Sequence, residues 1–192
     1  MDRAAEAIRE SMELKRKVLD DGALMAELAS ATEAIIRSLK AGGKVLFCGN
    51  GGSAADAQHL AAEFSGRFYF DRPPLFAEAL HVNTSYLTAV ANDYSFDEVF
   101  ARQVRAKGAG GDVLVGLSTS GDSPNVLRAL EEARGLGMTT VGLTGEGGGK
   151  MKGRCTHLIA VPSKDTPRIQ EVHITLGHVI CELVEAALFR KK

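Results

Sequence analysis

Side chains able to do chemistry are concentrated in four stretches of this sequence. In AADAQHLAAEF, His59 and Glu63 stand four residues apart, so on a helix they share a face with Asp56 and Arg67. An imidazole and a carboxylate in that register can pass a proton or begin a metal site, since successive turns reach one ion. The same spacing also describes an ordinary solvated face, and by itself it leaves both readings open. Near the C-terminus, Gln170, Ile174 and His178 recur at i, i+4 and i+8, set apart from the apolar stripe around them. His178 alone would read as a structural histidine, and Glu171 and His173 are expected at solvent or at an interface.

The other two stretches are loops that follow apolar runs. Gly49-Asn50-Gly51-Gly52-Ser53 follows KVLFC and leads into the helical segment that carries His59. GNGGSA fits the dinucleotide pattern G-x-G-x-x-A, which also needs an acidic residue at the end of the next strand to hold a ribose. That strand, FAEALHV, ends in His81-Val82-Asn83 with no carboxylate, so no nucleotide cofactor is expected. Ser118-Thr119-Ser120-Gly121-Asp122-Ser123-Pro124-Asn125 follows DVLVGL and opens another helix. Hydroxyls crowded at a helix start, beside free backbone N–H groups and the positive end of the dipole, make a cradle for phosphate. They bond phosphate oxygens without neutralising them, which suits exchangeable binding of a phosphorylated metabolite. A polar turn with an N-cap is the plainer alternative. No G-x-x-x-x-G-K-[ST] occurs, so an NTPase loop is excluded.

Both loops need a scaffold that places strand ends side by side. Five apolar runs, KVLFCG, FAEALHV, DVLVGLS, TTVGLTG and HLIAVPS, are separated mostly by helical patterns. Strands that are apolar throughout, alternating with helices, predict an α/β fold with a five-stranded parallel sheet covered on both faces. Ligands of such sheets bind beyond the carboxyl ends of the strands, where both loops lie. Residues 1–41 read as an N-terminal helix pair, punctuated at Asp20-Asp21-Gly22 and stopped at Ala41-Gly42-Gly43, and residues 42–192 as the α/β domain. In the last helix Ile169, Val172, Leu176, Val179, Leu183 and Ala187 form the apolar stripe, and Arg190-Lys191-Lys192 suits its C-terminal dipole end.

Composition narrows the function classes. The chain has 192 residues, 45% apolar and 24% charged, with a net charge of −1 and no long run of either sign. That balance excludes the basic patch of a nucleic-acid or membrane-surface binder. No run approaches the ~20 apolar residues of a membrane span, and MDRAAEAIRESMELKRK lacks the apolar core of a signal peptide. Cys48, Cys155 and Cys181 are odd in number with no C-x-x-C spacing, which fits a reducing cytoplasm rather than a disulfide framework.

Taken together, C-G-N-G-G-S-A-A-D-A-Q-H, A-N-D, S-T-S-G-D-S, L-T-G-E-G-G-G-K-M and R-I-Q-E-V-H resemble the phosphoheptose isomerases, of the sugar-isomerase (SIS) fold. The motifs stand in the family's order over nearly the whole chain. The resemblance implies a SIS domain that converts sedoheptulose 7-phosphate into D-glycero-D-manno-heptose 7-phosphate, the first step towards heptose in bacterial surface polysaccharide. It implies substrate contacts at Asn50, Gly51, Gly52, Asn92, Asp93, Ser118, Thr119, Ser120 and Ser123. It also implies zinc, one ion per subunit, at His59, Glu63, Gln170 and His178, with Glu63 and Gln170 facing substrate as well. It further implies a cytoplasmic homotetramer. Nothing is carried over from SKDTP, 163–167, which aligns less well.

Ketose-to-aldose isomerisation moves a proton between adjacent carbons through an enediol, so one group must take and return it while another manages the oxygens. The roles implied are Glu63 as general base and His178 as partner acid or base. One geometric difficulty stands: eight helical residues rise about 12 Å, which makes it hard for Gln170 and His178 of one straight helix to hold the same ion. A bend, ligands from two subunits, or a metal set without all four would each resolve it. A related SIS protein that binds the replication initiator shares C-G-N-G-x-S-A-A and A-N-D but lacks counterparts of Glu63 and His178. A non-catalytic sugar-phosphate-binding regulator is therefore the alternative, and a SIS isomerase of a shorter sugar phosphate is a third reading. For the tetramer, Leu24, Leu28, Ile35 and Leu39 are expected to pack against helices of another subunit.

Overall fold

The computed structural model describes residues 2–189; the basic Arg190-Lys191-Lys192 end expected to close the last helix lies outside them. The N-terminal pair is α1 (Asp2–Asp20) and α2 (Gly22–Lys40). Asp21 separates them because its carboxylate accepts from the backbone N–H groups of Ala23 and Leu24, capping α2. The chain then alternates through β1 (Val45–Gly49), α3 (Gly52–Ser65), β2 (Ala77–Ala79), α4 (Thr84–Asp93), α5 (Val99–Lys107) and β3 (Val113–Ser118). It continues through α6 (Pro124–Gly135), β4 (Thr139–Thr144), β5 (His157–Ala160) and α7 (Thr166–Phe189).

The five expected strands form one parallel sheet in the order β2-β1-β3-β4-β5. FAEALHV pairs over only Ala77–Ala79, since β2 is an edge strand with one neighbour. Strand alternation divides the core in two. Val45, Phe47, Val113, Val115, Val141 and Ile159 face a layer of α2, α3 and α7. Leu46, Cys48 and Leu114 face the opposite layer with Val99, Val104, Val126 and Leu130 of α5 and α6.

Two expectations change here. Leu24, Leu28 and Ile35 do not await another subunit; they are buried with α7 and the sheet in the chain's own core, so α2 shares that core with the α/β domain. The reason is geometric: an apolar helix face must be buried against a neighbouring layer, and α2 finds one within the chain in α7 and the sheet. By length and composition the 24-residue α7 could also cross a membrane. Its apolarity has a core explanation, because Ile169, Val172, Leu176, Ile180 and Val184 are all buried against the rest of the chain.

The order 2-1-3-4-5 contains a switch point, because the chain leaves β1 towards β2 and resumes at β3 on the other side. Ligands of open parallel sheets bind in the crevice there, beyond the carboxyl ends of the strands. The loops after β1 and β3 meet at that crevice.

Candidate active site

The loop after β1 turns sharply into α3. Gly51 has φ +55, a conformation that L side chains rarely adopt, and a Cβ on Gly49 would lie 2.7 Å from the Ser53 carbonyl oxygen. These two glycines bring the backbone of Asn50, Gly51 and Gly52 close round the crevice. A Cβ on Gly52 would lie 2.7 Å from the Gln170 side-chain amide, so the bare glycine lets that amide settle on the start of α3. Gln170 thus joins the Asn50–Gly52 loop.

The serine loop closes the other side. Ser118 Oγ lies 2.9 Å from Ser123 Oγ and 3.4 Å from Ser120 Oγ, so three hydroxyls converge from one turn. Pro124 occupies the first turn of α6, and Ser123 makes no side-chain capping bond, leaving its hydroxyl to the cluster. Gly121 has φ +70 and packs backbone to backbone on Gly148, where a Cβ would lie only 2.3 Å from the carbonyl oxygen. The G-E-G-G-G run thereby buttresses the loop from behind. Further braces are the Lys150 N–H on Asp122 Oδ1 (3.0 Å) and the Gly145 N–H on the Thr119 carbonyl (2.9 Å).

His59, Glu63 and His178 form a second group further along α3 and α7. His59 Nε2 lies 2.8 Å from His178 Nε2 and 3.3 Å from Glu63 Oε1, and one ligand atom from each residue falls within 4.8 Å of the others. Two imidazole nitrogens and a carboxylate oxygen aimed at one point are a donor set that fits zinc or a similar divalent ion. The contacts Gly52–Gln170 and Leu60–Gly177 show α3 and α7 running side by side, with the backbones of Gln170 and His178 about two turns, roughly 12 Å, apart along α7. Gln170, the fourth expected metal position, has its amide against Gly52 at the start of α3. Asn92 and Asp93 stand exposed at the end of α4, where they bond each other (2.9 Å).

Surroundings tune these groups. Burial pushes the Asp56 carboxyl up, with His59 partly opposing, and its Oδ2 has no partner among the described residues. Burial and then Glu63 push the Cys181 thiol up to about 12, which keeps it protonated and excludes a thiolate nucleophile beside the histidines. His173 is not at solvent or an interface as expected: it is fully buried, with Nε2 3.0 Å from the Thr144 carbonyl oxygen. A period-3.6 stripe with one polar member reads as amphipathic, and only the packed helix shows that His173 lies on the core side. Two long-range pairings had no signal in the sequence. Asn125, the second residue of α6, pairs with Asn50 across 75 residues. Arg72 and Glu185 form a buried ion pair across 113 residues, for which no local pattern exists.

The sequence profile described as the SIS domain matches residues 8–145. A phosphoheptose isomerase of Clostridium acetobutylicum is 51% identical over 185 residues, 96% of this chain and 94% of that protein. One of Rhodospirillum rubrum is 61% identical over 161 residues, 84% of this chain and 86% of its own length. Among solved structures, the phosphoheptose isomerase of Neisseria gonorrhoeae superposes with a TM-score of 0.90 at 45% identity, covering 96% of this chain and 98% of that one. That of Francisella tularensis gives 0.91 at 38% identity, covering 95% and 96%.

Proposed function

Because the chain belongs to the SIS-domain family and, within it, to the phosphoheptose isomerases, we propose that it converts D-sedoheptulose 7-phosphate into D-glycero-D-manno-heptose 7-phosphate. It is an aldose–ketose isomerase. The product is the first intermediate of heptose supply for bacterial surface polysaccharide, made in a reducing cytoplasm where the three thiols stay free.

The observation that carries the reading is the pairing of a hydroxyl-lined phosphate cradle with a converging carboxylate and two imidazoles. Ser118, Thr119, Ser120 and Ser123 hold the phosphate through hydroxyls and backbone N–H groups. Asn50, Gly51, Gly52 and Gln170 face the sugar chain, and Asn92 and Asp93 complete its contacts. Glu63 takes the proton from one carbon of the ketose and returns it to the neighbouring carbon. His178 moves the hydroxyl proton across the sugar, so that the two oxygens exchange carbonyl and alcohol character. His59, Glu63, Gln170 and His178 would hold the zinc ion of each subunit; zinc when bound supplies polarisation of the carbonyl and hydroxyl oxygens. Positioned proton transfer of this kind contributes about 10²–10⁴-fold.

The test is turnover of sedoheptulose 7-phosphate by the purified protein, with and without chelator, alongside Glu63→Gln. The amide keeps the shape and removes the base, so turnover should fall about a hundredfold or more while the unfolding midpoint stays put. Wild-type activity in that variant would remove Glu63 from the mechanism. Failure of the unsubstituted protein to act on this sugar would overturn the substrate.

A further inference from the structure

The amides of Asn50 and Asn125 face each other across the switch point in a reciprocal pair, each Nδ2 lying 2.9 Å from the other's Oδ1. Asn50 belongs to the loop after β1; Asn125 directly follows the serine loop and is 2% exposed. The Val126 backbone N–H also donates to Asn125 Oδ1, at 2.9 Å. Because an N–H can be accepted only by oxygen, this third bond fixes which end of the Asn125 amide is which. The reciprocal pair then fixes Asn50 in turn: its Nδ2 donates to Asn125 and its Oδ1 accepts from Asn125. One N–H and one lone pair of Asn50 are left over. Those two are what a sugar hydroxyl, at once donor and acceptor, requires.

The sheet has no need of this pair. The β1–β3 ladder already runs from Val45↔Val113 to Gly49↔Leu117, and the amides meet beyond its last rung. What they hold is something the ladder cannot reach: the orientation of one side chain and the separation of two loops past the strand ends.

We propose that Asn125 is a positioning residue of the isomerase, acting through Asn50 to present a fixed donor and acceptor to the sugar chain at a set distance from the phosphate cradle. This rests on the substrate reading given above. Asn125 itself touches no substrate; its amide oxygen is fully used by Val126 and Asn50.

The experiment compares steady-state kinetics on sedoheptulose 7-phosphate for Asn50→Ala, Asn125→Ala and the double variant, together with competitive inhibition by inorganic phosphate. Asn125→Ala should raise KM about threefold to tenfold, the worth of a neutral hydrogen bond, with a smaller change in kcat. The double variant should be no worse than Asn50→Ala alone, because Asn125 acts only through that residue. The inhibition constant of phosphate should be unchanged, whereas a merely structural role at the start of α6 would weaken it along with KM. Asn125→Asp keeps the acceptor for Val126 but loses the donor to Asn50, so with its unfolding midpoint measured alongside it should show the same KM rise. Losses that multiply in the double variant, weakened phosphate inhibition, or a wild-type KM in Asn125→Asp would each overturn the proposal. Absence of turnover in the unsubstituted protein would instead strike the substrate reading.

Discussion

A single buried imidazole gives this protein a pH dependence of its own. His173 is pushed down to about 4 by burial, with its bond to the Thr144 carbonyl partly opposing, and its Nδ1 has no partner among the described residues. The unfolded chain binds a proton at this position below the ordinary value of 6.5 and the folded chain does not until about 4. Stability from this group is therefore complete above pH 6.5 and drains away between 6.5 and 4, by about 3 kcal/mol in all. His173→Gln removes the titration while keeping an N–H for Thr144. Urea unfolding at pH 7.5 and pH 5 should show a smaller loss in the variant than in the parent, and equal losses would show that another group sets the dependence.

At the scale of elements, one buried ion pair ties the end of α3 and the loop after it to α7. Glu185 accepts from the backbone N–H groups of Phe68 (3.0 Å), Tyr69 (2.6 Å) and Phe70 (3.1 Å) and from Arg72 Nε (2.9 Å). Arg72 donates in turn to the carbonyls of Glu63 and Phe64, the free C-terminal carbonyls of α3. A loop that would otherwise wander is folded round a charge, and it sets the Phe68 ring 5.8 Å from that of His178. Burial raises the Glu185 carboxyl, but the three N–H groups and Arg72 outweigh it and hold the group below the ordinary 4.5. Its contribution is thus present above pH 4.5 and lost as the pH falls through the folded value. Glu185→Ala would leave Arg72 buried and uncompensated, which typically costs about 3–5 kcal/mol. Denaturant titration checks this; a loss below about 1 kcal/mol, the worth of an exposed pair, would show the clamp to be solvated.

At the scale of the molecule, the apolar surface points to assembly. Ile8, Met12 and Leu19 on α1 are 62%, 66% and 67% exposed along one stripe, while Leu14 and Val18 face inward. Tyr69, Phe70 and Phe76 add a second exposed group on the loop after α3. Contiguous apolar faces of this kind mark contact sites, and closed symmetric assemblies are the usual result for identical subunits. The assembly we propose is the homotetramer that the family resemblance implies. Light scattering on the eluting protein should give four times the 20.4 kDa chain mass. Replacing Ile8 and Met12 by Asp should lower it, and a monomer mass with full turnover would exclude a shared site.

The sequence by itself determined the α/β class, the five strands, the two crevice loops and the helices bearing His59, Glu63 and His178, because each follows from a period or a turn within a dozen residues. The serine cradle was legible for the same reason: its hydroxyls, Gly121 and Pro124 are consecutive. Tertiary structure alone decided which distant residues meet. It paired Asn50 with Asn125 and Arg72 with Glu185, and it turned His173 inward. It also set the Gln170 amide against Gly52, and moved Leu24, Leu28 and Ile35 from an expected interface into the core. Periodicity tells which residues share a face of a helix, but not what that face packs against; that depends on how many helices the sheet must cover and on the register in which α3 and α7 lie together.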